Sequence, residues 1–434
     1  MSPVSLSSLF FPKYPLIALA TLVSGLTVGC RSGALDGSRP RLEEPVKVLS
    51  PFEQQAAAEK GEASDTVASR KDARGVFIST DGTEYPANRL VIWGGLARKL
   101  DGSPSYKSDG GVFNPRTKRW RLFFGKKVPG GVANFSIGWV AKHLMIVGGE
   151  SGPVGIAAGA MFDVAGDEWG LVKEVPGGLP RVDAASLGVG DEFLIWGGCD
   201  GCRDGYVWRK TVDGWDSIDG KWNGVGSTGF GWTSMRSPKG ESGELVVFGG
   251  MEKGTLLAGL VRVKASQDGD HNRYEWASAS SVDEPPPRKF GLIASLGNQV
   301  MIVGGVGVSG SLTDGFLYNW ATNLWSKLSL PAAVRSWDEI SSLVAADGRF
   351  VLLGKSADRP DTQVSVFNPD DGSWSAAVDD NVGAPLYAFH PIVGDLHNGK
   401  IIYWGGERVV NPRYDEGTWV FEVKTRKWSP AKPD

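Results

Sequence analysis

An all-β fold built from repeated copies of one small sheet is predicted by three observations on this sequence. A hydrophobic triplet followed by two glycines recurs about every 50 residues, and an aromatic residue and a tryptophan follow it at a fixed spacing. Glycine, at 60 of 434 residues, and tryptophan, at 17, are both abundant, whereas glycine normally makes up about 7 % of a chain. This composition indicates many turns and many large hydrophobic anchors.

The glycine pairs mark the repeat. Six copies are intact, at Gly94-Gly95, Gly148-Gly149, Gly197-Gly198, Gly249-Gly250, Gly304-Gly305 and Gly405-Gly406, and a seventh is degenerate at Gly354-Lys355. Measured at the first glycine, the steps are 54, 49, 52, 55, 50 and 51 residues. Because glycine accepts positive φ and lets neighbouring backbone approach, each pair is expected to end a strand in a sharp turn.

The aromatic residues give a second, independent register. In six repeats an aromatic residue precedes a tryptophan by seven positions: Phe113 and Trp120, Phe162 and Trp169, Trp208 and Trp215, Tyr318 and Trp325, Phe367 and Trp374, and Phe421 and Trp428. Turn-forming residues lie between them, which predicts a hairpin whose large side chains fill the wedge between sheets. The fourth repeat departs, with residues 266–271 inserted before Trp276.

Each repeat has room for four strands, and four-stranded sheets arranged radially make a propeller with few open sheet edges. We expect seven blades over residues 74–434, the first strand being near Gly75–Ile78. The chain ends just after Trp428, so closure is expected from the amino-terminal segment or from side-chain packing. The doubled glycine with its spaced aromatic and tryptophan resembles the kelch-repeat family over roughly residues 74–432, and this resemblance implies a kelch-type β-propeller.

The amino-terminal segment has the features of an export signal. Lys13 precedes an apolar run that stops at Gly29-Cys30, which resembles the bacterial lipobox, although Thr27 departs from the usual leucine. This predicts a signal peptide over 1–29, lipidation of Cys30 and a flexible tether over 30–73, holding the protein on an outer membrane or cell surface, facing the periplasm or the exterior. The alternative is simple secretion after ordinary cleavage.

Charge excludes one class of partner. Without residues 1–29 the chain has 45 basic and 49 acidic residues, a net charge of −4. Neither nucleic-acid binding nor a polybasic membrane patch is indicated.

Cys199 and Cys202 lie in the loop after the third glycine pair. If Cys30 is lipidated, they are the remaining two cysteines in an oxidising compartment, which favours a small disulfide ring. A redox pair would need a helix amino terminus, and a zinc site would need further ligands. The four histidines, at 143, 271, 390 and 397, show no pairing with this loop, so no metal or cofactor is predicted.

Candidate ligand-binding residues come from loops that should share one face of the propeller, namely those that enter strand one of each blade or join strands two and three. They are Arg181, Trp232, Arg288, Arg335, Trp337, Tyr387 and His390. Arginines and aromatic residues converging there would suit an anionic or sugar-like ligand. The alternative interpretation is that the arginines brace neighbouring blades.

No set of catalytic residues is recognisable from motifs or spacing. Two functions remain, and the fold alone cannot choose between them. The first is a non-catalytic scaffold that binds a protein or glycan partner. The second is a carbohydrate-acting enzyme that resembles the periplasmic kelch sialic-acid mutarotases, and it would need a solvent-filled funnel lined by Arg181, Arg288 and Arg335.

Overall fold

The computed structural model of the chain describes residue 67 and residues 70–79, 88–99, 103–123, 126–163, 168–218, 224–237, 241–375, 383–396, 398–408 and 417–432. All of them belong to one compact unit, Leu49–Asp434. The predicted signal peptide over 1–29, Cys30, most of the predicted tether and His397 lie outside the described residues. Within the described part of the chain, no helix is long and apolar enough to cross a membrane.

Seven antiparallel four-stranded sheets form the blades of a β-propeller, and each blade uses four strands in the order in which the chain supplies them. Short two-stranded hairpins follow the glycine pair in several blades. Blade one contains β1 (Arg74–Ser79), β2 (Asn88–Trp93), the hairpin β3 (Leu96–Arg98) and β4 (Pro104–Tyr106), β5 (Gly110–Asn114) and β6 (Arg119–Phe123). Blade two contains β7 (Ser136–Val140), β8 (His143–Val147), the hairpin β9 (Glu150–Ser151) and β10 (Val154–Gly155), β11 (Gly159–Asp163) and β12 (Glu168–Val172).

Blade three contains β13 (Ala185–Val189), β14 (Glu192–Trp196), β15 (Gly205–Arg209) and β16 (Gly214–Ile218). Blade four contains β17 (Gly231–Arg236), β18 (Ser242–Phe248), the hairpin β19 (Met251–Glu252) and β20 (Thr255–Leu256), β21 (Leu260–Asp268) and β22 (His271–Ser278). Blade five contains β23 (Leu292–Leu296), β24 (Gln299–Val303), the hairpin β25 (Val306–Gly307) and β26 (Gly310–Ser311), β27 (Gly315–Asn319) and β28 (Leu324–Leu328).

A short helix, α1 (Ala332–Arg335), precedes blade six, which contains β29 (Trp337–Ala346), β30 (Arg349–Ser356), β31 (Gln363–Asn368) and β32 (Ser373–Trp374). Blade seven contains β33 (Ala388–Phe389), β34 (Ile392–Asp395), β35 (Lys400–Trp404), β36 (Glu407–Arg408), β37 (Thr418–Glu422) and β38 (Lys427–Pro430), with β33 and β36 paired beside the four-stranded sheet. The predicted all-β fold of seven four-stranded blades is confirmed.

The aromatic and tryptophan positions fix the outer hairpin of each blade. Each pair lies directly opposite on strands three and four, and in five blades the two ring centroids are 4.8 to 5.2 Å apart. In blade four, Val263 faces Trp276 instead. The insertion there lengthens β21 and β22 to nine and eight residues, so that it extends the hairpin without changing the fold.

The first and last blades close the ring without exchanging a strand, because each takes all four strands from its own repeat. Trp120 Nε1 of blade one donates a hydrogen bond of 3.0 Å to Thr418 Oγ1 of blade seven, and the Trp120 ring lies 5.7 Å from that of Trp404. Val67 is buried in the same cluster. Both expected routes, the amino-terminal segment and side-chain packing, therefore contribute to closure.

The start of the propeller needs a correction. The sequence predicts a tether up to residue 73, but Val67, Arg70 and Ala73 are buried, with 5 %, 1 % and 7 % of their surface exposed. Val67 and Ala73 pack in the cluster at the seam between blades one and seven, where apolar surface would otherwise face water, and the Arg70 carbonyl oxygen accepts a hydrogen bond from the Gly406 amide of blade seven. The propeller consequently begins before residue 74.

Candidate functional site

The loops that enter strand one and those that follow the glycine pairs lie on the same face of the propeller, which we call the loop face. Isolated β-bridges join the two kinds of loop in blades two, four and five, between Ala133 and Glu150, Thr228 and Met251, and Lys289 and Val306. The strand order of each blade brings these segments together, as the sequence predicted.

Arg288 shows how a buried arginine organises this face. Its Nη1 donates a 3.0 Å hydrogen bond to the carbonyl oxygen of Gly304, the first glycine of its own blade. The guanidinium also forms a two-pronged ion pair with Asp314, in which Nη2 lies 3.0 Å from Oδ2. The side chain of Arg288 is 0 % exposed and that of Asp314 is 24 % exposed, so the ion pair is shielded on the arginine side.

The same arrangement recurs in blades one and three. Arg181 donates from Nη1 to the carbonyl oxygen of Gly197 at 2.9 Å, and its Nη2 lies 2.8 Å from Asp204 Oδ1. Arg70 contacts Asp109 and the carbonyl of the first glycine in blade one in the same way. We call these three arrangements the arginine clasps. Arg70 is not among the binding or bracing residues predicted from the sequence, because it lies in the predicted tether.

Each clasp also reaches the preceding blade through the backbone. The carbonyl oxygens of Arg181, Arg288 and Arg70 accept hydrogen bonds of 2.6, 2.8 and 3.1 Å from the second glycines of blades two, four and seven. A Cβ added to the first glycine of blade four, Gly249 at φ 66°, would lie 2.5 Å from the Arg288 carbonyl oxygen. The doubled glycine therefore gives room for the next blade's arginine-bearing strand entry.

Arg181 and Arg288 accordingly have the bracing geometry, with 1 % and 0 % of their side chains exposed. Arg335 lies at the end of α1 and is exposed. The three arginines therefore do not line a common solvent-filled funnel. This arrangement does not bring together the residues that the sugar-enzyme hypothesis required.

The three predicted aromatic residues occupy different environments. Trp337 is 6 % exposed, and a Cβ at Gly354 would lie 2.4 Å from its ring. Trp232 is partly buried against the core of blades three and four. Tyr387 is 2 % exposed, and burial together with the charge of Glu339 raises the pKa of its hydroxyl. Burial also raises the pKa of Glu339.

A ring of left-handed residues surrounds the start of the innermost strands. Two positions before strand one, six blades place a residue with φ between 53° and 60°; these residues, which we call the mouth ring, are Asp72, Asn134, Asp183, Gly229, Phe290 and His390. Backbone hydrogen bonds run between members, from Asn134 to Asp72 (3.3 Å), from Asp183 to Asn134 (2.7 Å) and from Phe290 to Gly229 (2.6 Å). This conformation is unusual for residues other than glycine, above all for phenylalanine.

Ion pairs join mouth-ring side chains across blades. His390 Nδ1 lies 2.7 Å from Asp72 Oδ1, and this hydrogen bond raises the pKa of His390. Burial alone would raise the pKa of Asp72, but His390, Lys71 and Arg74 lower it. Arg74 also forms an ion pair with Asp183, which connects blade one to blade three. Of the predicted ligand-binding residues, His390 is the one that belongs to the mouth ring.

The cysteine pair is part of a docked loop. Cys199 and Cys202 are joined by a disulfide, with their Cα atoms 5.3 Å apart. Within the disulfide-closed loop the Gly201 amide donates to Ser227 Oγ at 2.9 Å, and Asp200 Oδ1 accepts from the Lys253 amide at 2.9 Å. The disulfide-closed loop therefore attaches blade three to blade four. No cluster of three or more potential metal ligands occurs among the described residues.

Exposed apolar side chains concentrate on the loop face. Eleven large apolar residues are exposed in the described part of the chain, and seven of them belong to loop-face segments: Val128, Val154, Leu179, Val282, Phe290, Val308 and Leu386. Val154 and Val308, at 63 % and 91 % exposure, lie at the ends of the hairpins of blades two and five. The loop face thus combines the mouth ring with exposed apolar side chains, two of which lie at the ends of hairpins.

Comparisons with known proteins agree with this geometry. The family model described as the KLHDC2/KLHL20/DRC7 Kelch-repeats domain matches residues 184–393, just under half of the chain. The Rab9 effector protein with kelch motifs of Mus musculus is 24 % identical over 135 residues, which is 30 % of this chain and 35 % of that protein. The protein of the same name from Bos taurus is 23 % identical over 174 residues, 38 % of this chain and 47 % of that protein. The matches span between about a third and a half of these relatives.

Proposed function

From the premise that the chain is a kelch-repeat β-propeller, a typical protein-binding scaffold, we propose that it acts without catalysis and binds a protein partner through its loop face. The observation that carries the proposal is the concentration of exposed apolar side chains there, seven of the eleven in the described residues. Projecting apolar groups on a polar, rigid base are typical of protein interaction sites. The curated relatives are named as effectors of Rab9, and that name supports a role in binding proteins.

The base of this face is suited to presentation rather than to movement. Three arginine clasps hold the strand entries of blades one, three and five, and the disulfide loop is attached to blade four. Rigid elements that display hairpins lower the entropy lost when a partner binds. The partner is therefore expected to meet a largely pre-formed surface.

The experiment is site-specific photo-crosslinking with the full chain in its own host. A photoreactive residue replaces Val308 or Val154 on the loop face. The controls place it at Leu324 or Val212, whose exposures of 60 % and 63 % match that of Val154 (63 %) but which lie on the outer hairpins. We expect the same protein adduct from both loop-face positions and none from the controls. Adducts from the controls alone would contradict the proposal.

We further propose that the protein is exported and anchored by lipid at Cys30, facing the periplasm or the exterior. The support is the sequence Thr27-Val28-Gly29-Cys30 after an apolar run and one basic residue. Cells grown with a labelled fatty acid should transfer the label to the protein, and Cys30→Ala should abolish labelling and release the protein from membranes. A labelled Cys30→Ala variant would contradict the anchor.

The glycan partner and the carbohydrate-acting enzyme are alternatives that rest on the sequence alone. Both depended on arginines open to a ligand at the centre of the loop face. Because Arg181 and Arg288 are buried in clasps, we propose the protein-binding scaffold in preference to either.

A further inference from the structure

The mouth ring contains one residue whose side chain does not suit its backbone conformation. Phe290 has φ 56°, whereas the five other members are aspartate, asparagine, histidine or glycine, the residue types that accept this conformation most readily. The Phe290 amide donates a 2.6 Å hydrogen bond to the Gly229 carbonyl oxygen, which holds the strained backbone in place. A glycine at position 290, like the one at position 229, would avoid the strain.

Burial of the Phe290 side chain does not offset this strain. The side chain is 57 % exposed. One edge of the ring lies over Gly229, where an added Cβ would be 3.2 Å from Phe290 Cε1. An apolar side chain that stays exposed gains little free energy on folding, so folding alone gives no reason for a phenylalanine here. Strain of this kind is typical of residues that contact a ligand or a partner.

Two positively charged side chains belong to the same part of the mouth. Lys289 Nζ lies 5.4 Å from the centre of the Phe290 ring. In the neighbouring blade six, Arg335 occupies the position two residues before strand one and is exposed. Among the described residues, neither Lys289 nor Arg335 has an ion-pair partner. We call Phe290, Lys289 and Arg335 the open arc.

The rest of the mouth ring has its polar groups paired. In blades seven, one, two and three the polar side chains bond to one another or to neighbours on the loop face, namely His390 to Asp72, Asp183 to Arg74 and Asn134 to Glu150. Beside Arg335, the carboxylate of Asp338 is already paired with Lys355 at 3.5 Å. The open arc is therefore the part of the mouth that keeps unpaired positive charge.

The nearest unpaired acids in sequence lie toward the rim of the propeller. The exposed Asp283 and Glu284 belong to the same entry loop as Phe290. They follow Ser280, whose carbonyl oxygen accepts a 2.8 Å hydrogen bond from Trp325 Nε1 of the outer hairpin. The loop thus runs from an acidic outer part to a basic inner part, and the inner part reaches the mouth.

We propose that the open arc binds an acidic peptide segment of the protein partner. An apolar side chain of that segment packs on the Phe290 ring, and its carboxylates bond to Lys289 and Arg335. The proposal rests on the protein-binding function proposed above and names the chemistry of the segment that is bound. Because the ring is already braced on blade four, it loses little conformational freedom when a partner covers it.

The surroundings of the open arc favour a peptide over a sugar acid. A β-bridge joins Lys289 to Val306 and so places the hairpin of blade five beside Phe290. Val308 at the end of that hairpin is 91 % exposed. The apolar contact therefore continues from the mouth onto the hairpin, which suits an extended segment with several side chains.

The variant Phe290→Gly separates binding from folding. Glycine removes the strain together with an exposed ring, so the midpoint of urea denaturation of the full chain should be equal to or higher than that of the native chain. A clear fall in the midpoint would overturn the inference, because the ring would then be needed for the fold.

The binding test places p-benzoylphenylalanine at position 290 of the full chain in its own host, and mass spectrometry identifies the crosslinked peptide. We expect an adduct with the same protein that a photoreactive residue at position 308 captures, at a segment with Asp or Glu beside an apolar residue. Lys289→Glu with Arg335→Glu should lower the adduct yield at least about tenfold. The control, Lys264→Glu with Lys327→Glu, alters two exposed lysines on β21 and β28 and should leave the yield unchanged.

Each other result decides against the inference. An adduct from position 308 and none from position 290 would overturn the inference and leave the protein-binding function standing, whereas no adduct from either would contradict both. A crosslinked segment without acidic residues, or an undiminished yield after charge reversal, would also overturn it. An adduct with a saccharide would overturn it in favour of a glycan.

Discussion

Blades five and six are neighbours in sequence and space, yet they join the ring by different means. Blade five has an intact glycine pair and the Arg288 clasp, whereas blade six has Gly354-Lys355 and is entered through the short helix α1. In blade six Trp337 packs over Gly354, and β29 shifts register twice against β30. In blades one, three and five an arginine clasp holds the carbonyl oxygen of the first glycine, whereas blade six has neither a complete glycine pair nor a clasp and has an apolar contact at the same place.

The largest expected difference in stability between blades five and six concerns the tryptophans of their outer hairpins. Trp325→Ala in blade five removes a side chain that is 7 % exposed and packs against Tyr318 and Phe248, and we expect it to cost about 3–5 kcal/mol in the free energy of unfolding. Trp374 of blade six is only partly buried, on a strand of two residues, so Trp374→Ala should cost less than half as much. Urea denaturation measures both, and equal losses would contradict the comparison.

The second largest effect on stability is expected from the arginine clasp of blade five. Arg288→Met leaves the Asp314 carboxylate and the Gly304 carbonyl without their donor, and we expect a loss of about 3 kcal/mol in the free energy of unfolding. Arg335→Met alters an exposed arginine and should change it by less than about 0.5 kcal/mol. If the two variants had the same denaturation midpoint, Arg288 would not brace the blades.

Exchange of the glycine-pair residues sharpens the comparison further. Gly305 has φ 93°, and a Cβ there would lie 2.7 Å from the Lys289 carbonyl oxygen, so Gly305→Ala should cost about 1–3 kcal/mol in stability. Lys355 already has a side chain at the corresponding position of blade six, so Lys355→Ala removes only its 3.5 Å ion pair with Asp338 and should cost less than about 1 kcal/mol. Thermal unfolding of the two variants decides between this account and one in which both positions tolerate a side chain equally.

The smallest effect concerns pH at the mouth ring. Because the Asp72 hydrogen bond raises the pKa of His390, the ion pair stabilises the fold fully below the ordinary histidine pKa, about 6.5, and this stabilisation is lost as pH rises through the raised value. The His390 side chain is 67 % exposed, so the contribution should stay below about 1 kcal/mol. The stability difference between the native chain and His390→Gln should be present at pH 5.5 and absent at high pH; a difference that grows with pH would contradict this assignment.

The sequence predicted the repeat because its determinants are local. Glycine pairs and paired aromatics recur at fixed spacing, and the structure places Phe367 opposite Trp374 as it places Tyr318 opposite Trp325. The mouth ring was missed apart from His390, because it shares a backbone conformation and not a residue type. Asp72 lies 22 residues before its glycine pair, whereas Asp183 lies 14 before its own, so spacing also concealed it.

Contacts between blades were beyond sequence reasoning for a different reason. Arg70 follows a segment without apolar periodicity, and its burial depends on the seam between blades one and seven. The packing of Met161 of blade two against the cluster that contains Trp208 of blade three likewise depends on how separate repeats meet. The sequence nevertheless contained a signal for the arginine clasps, since Arg70, Arg181 and Arg288 each precede a mouth-ring residue by two positions.

Binding of the crosslinked partner to paired variants tests the central claim most directly. Val154→Asp with Val308→Asp places charge on two loop-face hairpins, and Val212→Asp with Leu324→Asp places the same charge at two exposed positions on the outer hairpins. Our account predicts that the loop-face double variant raises the dissociation constant for the partner at least about tenfold, while the outer-hairpin double variant leaves it unchanged. Full affinity in the loop-face pair, with loss in the other, would show that the partner binds a different surface.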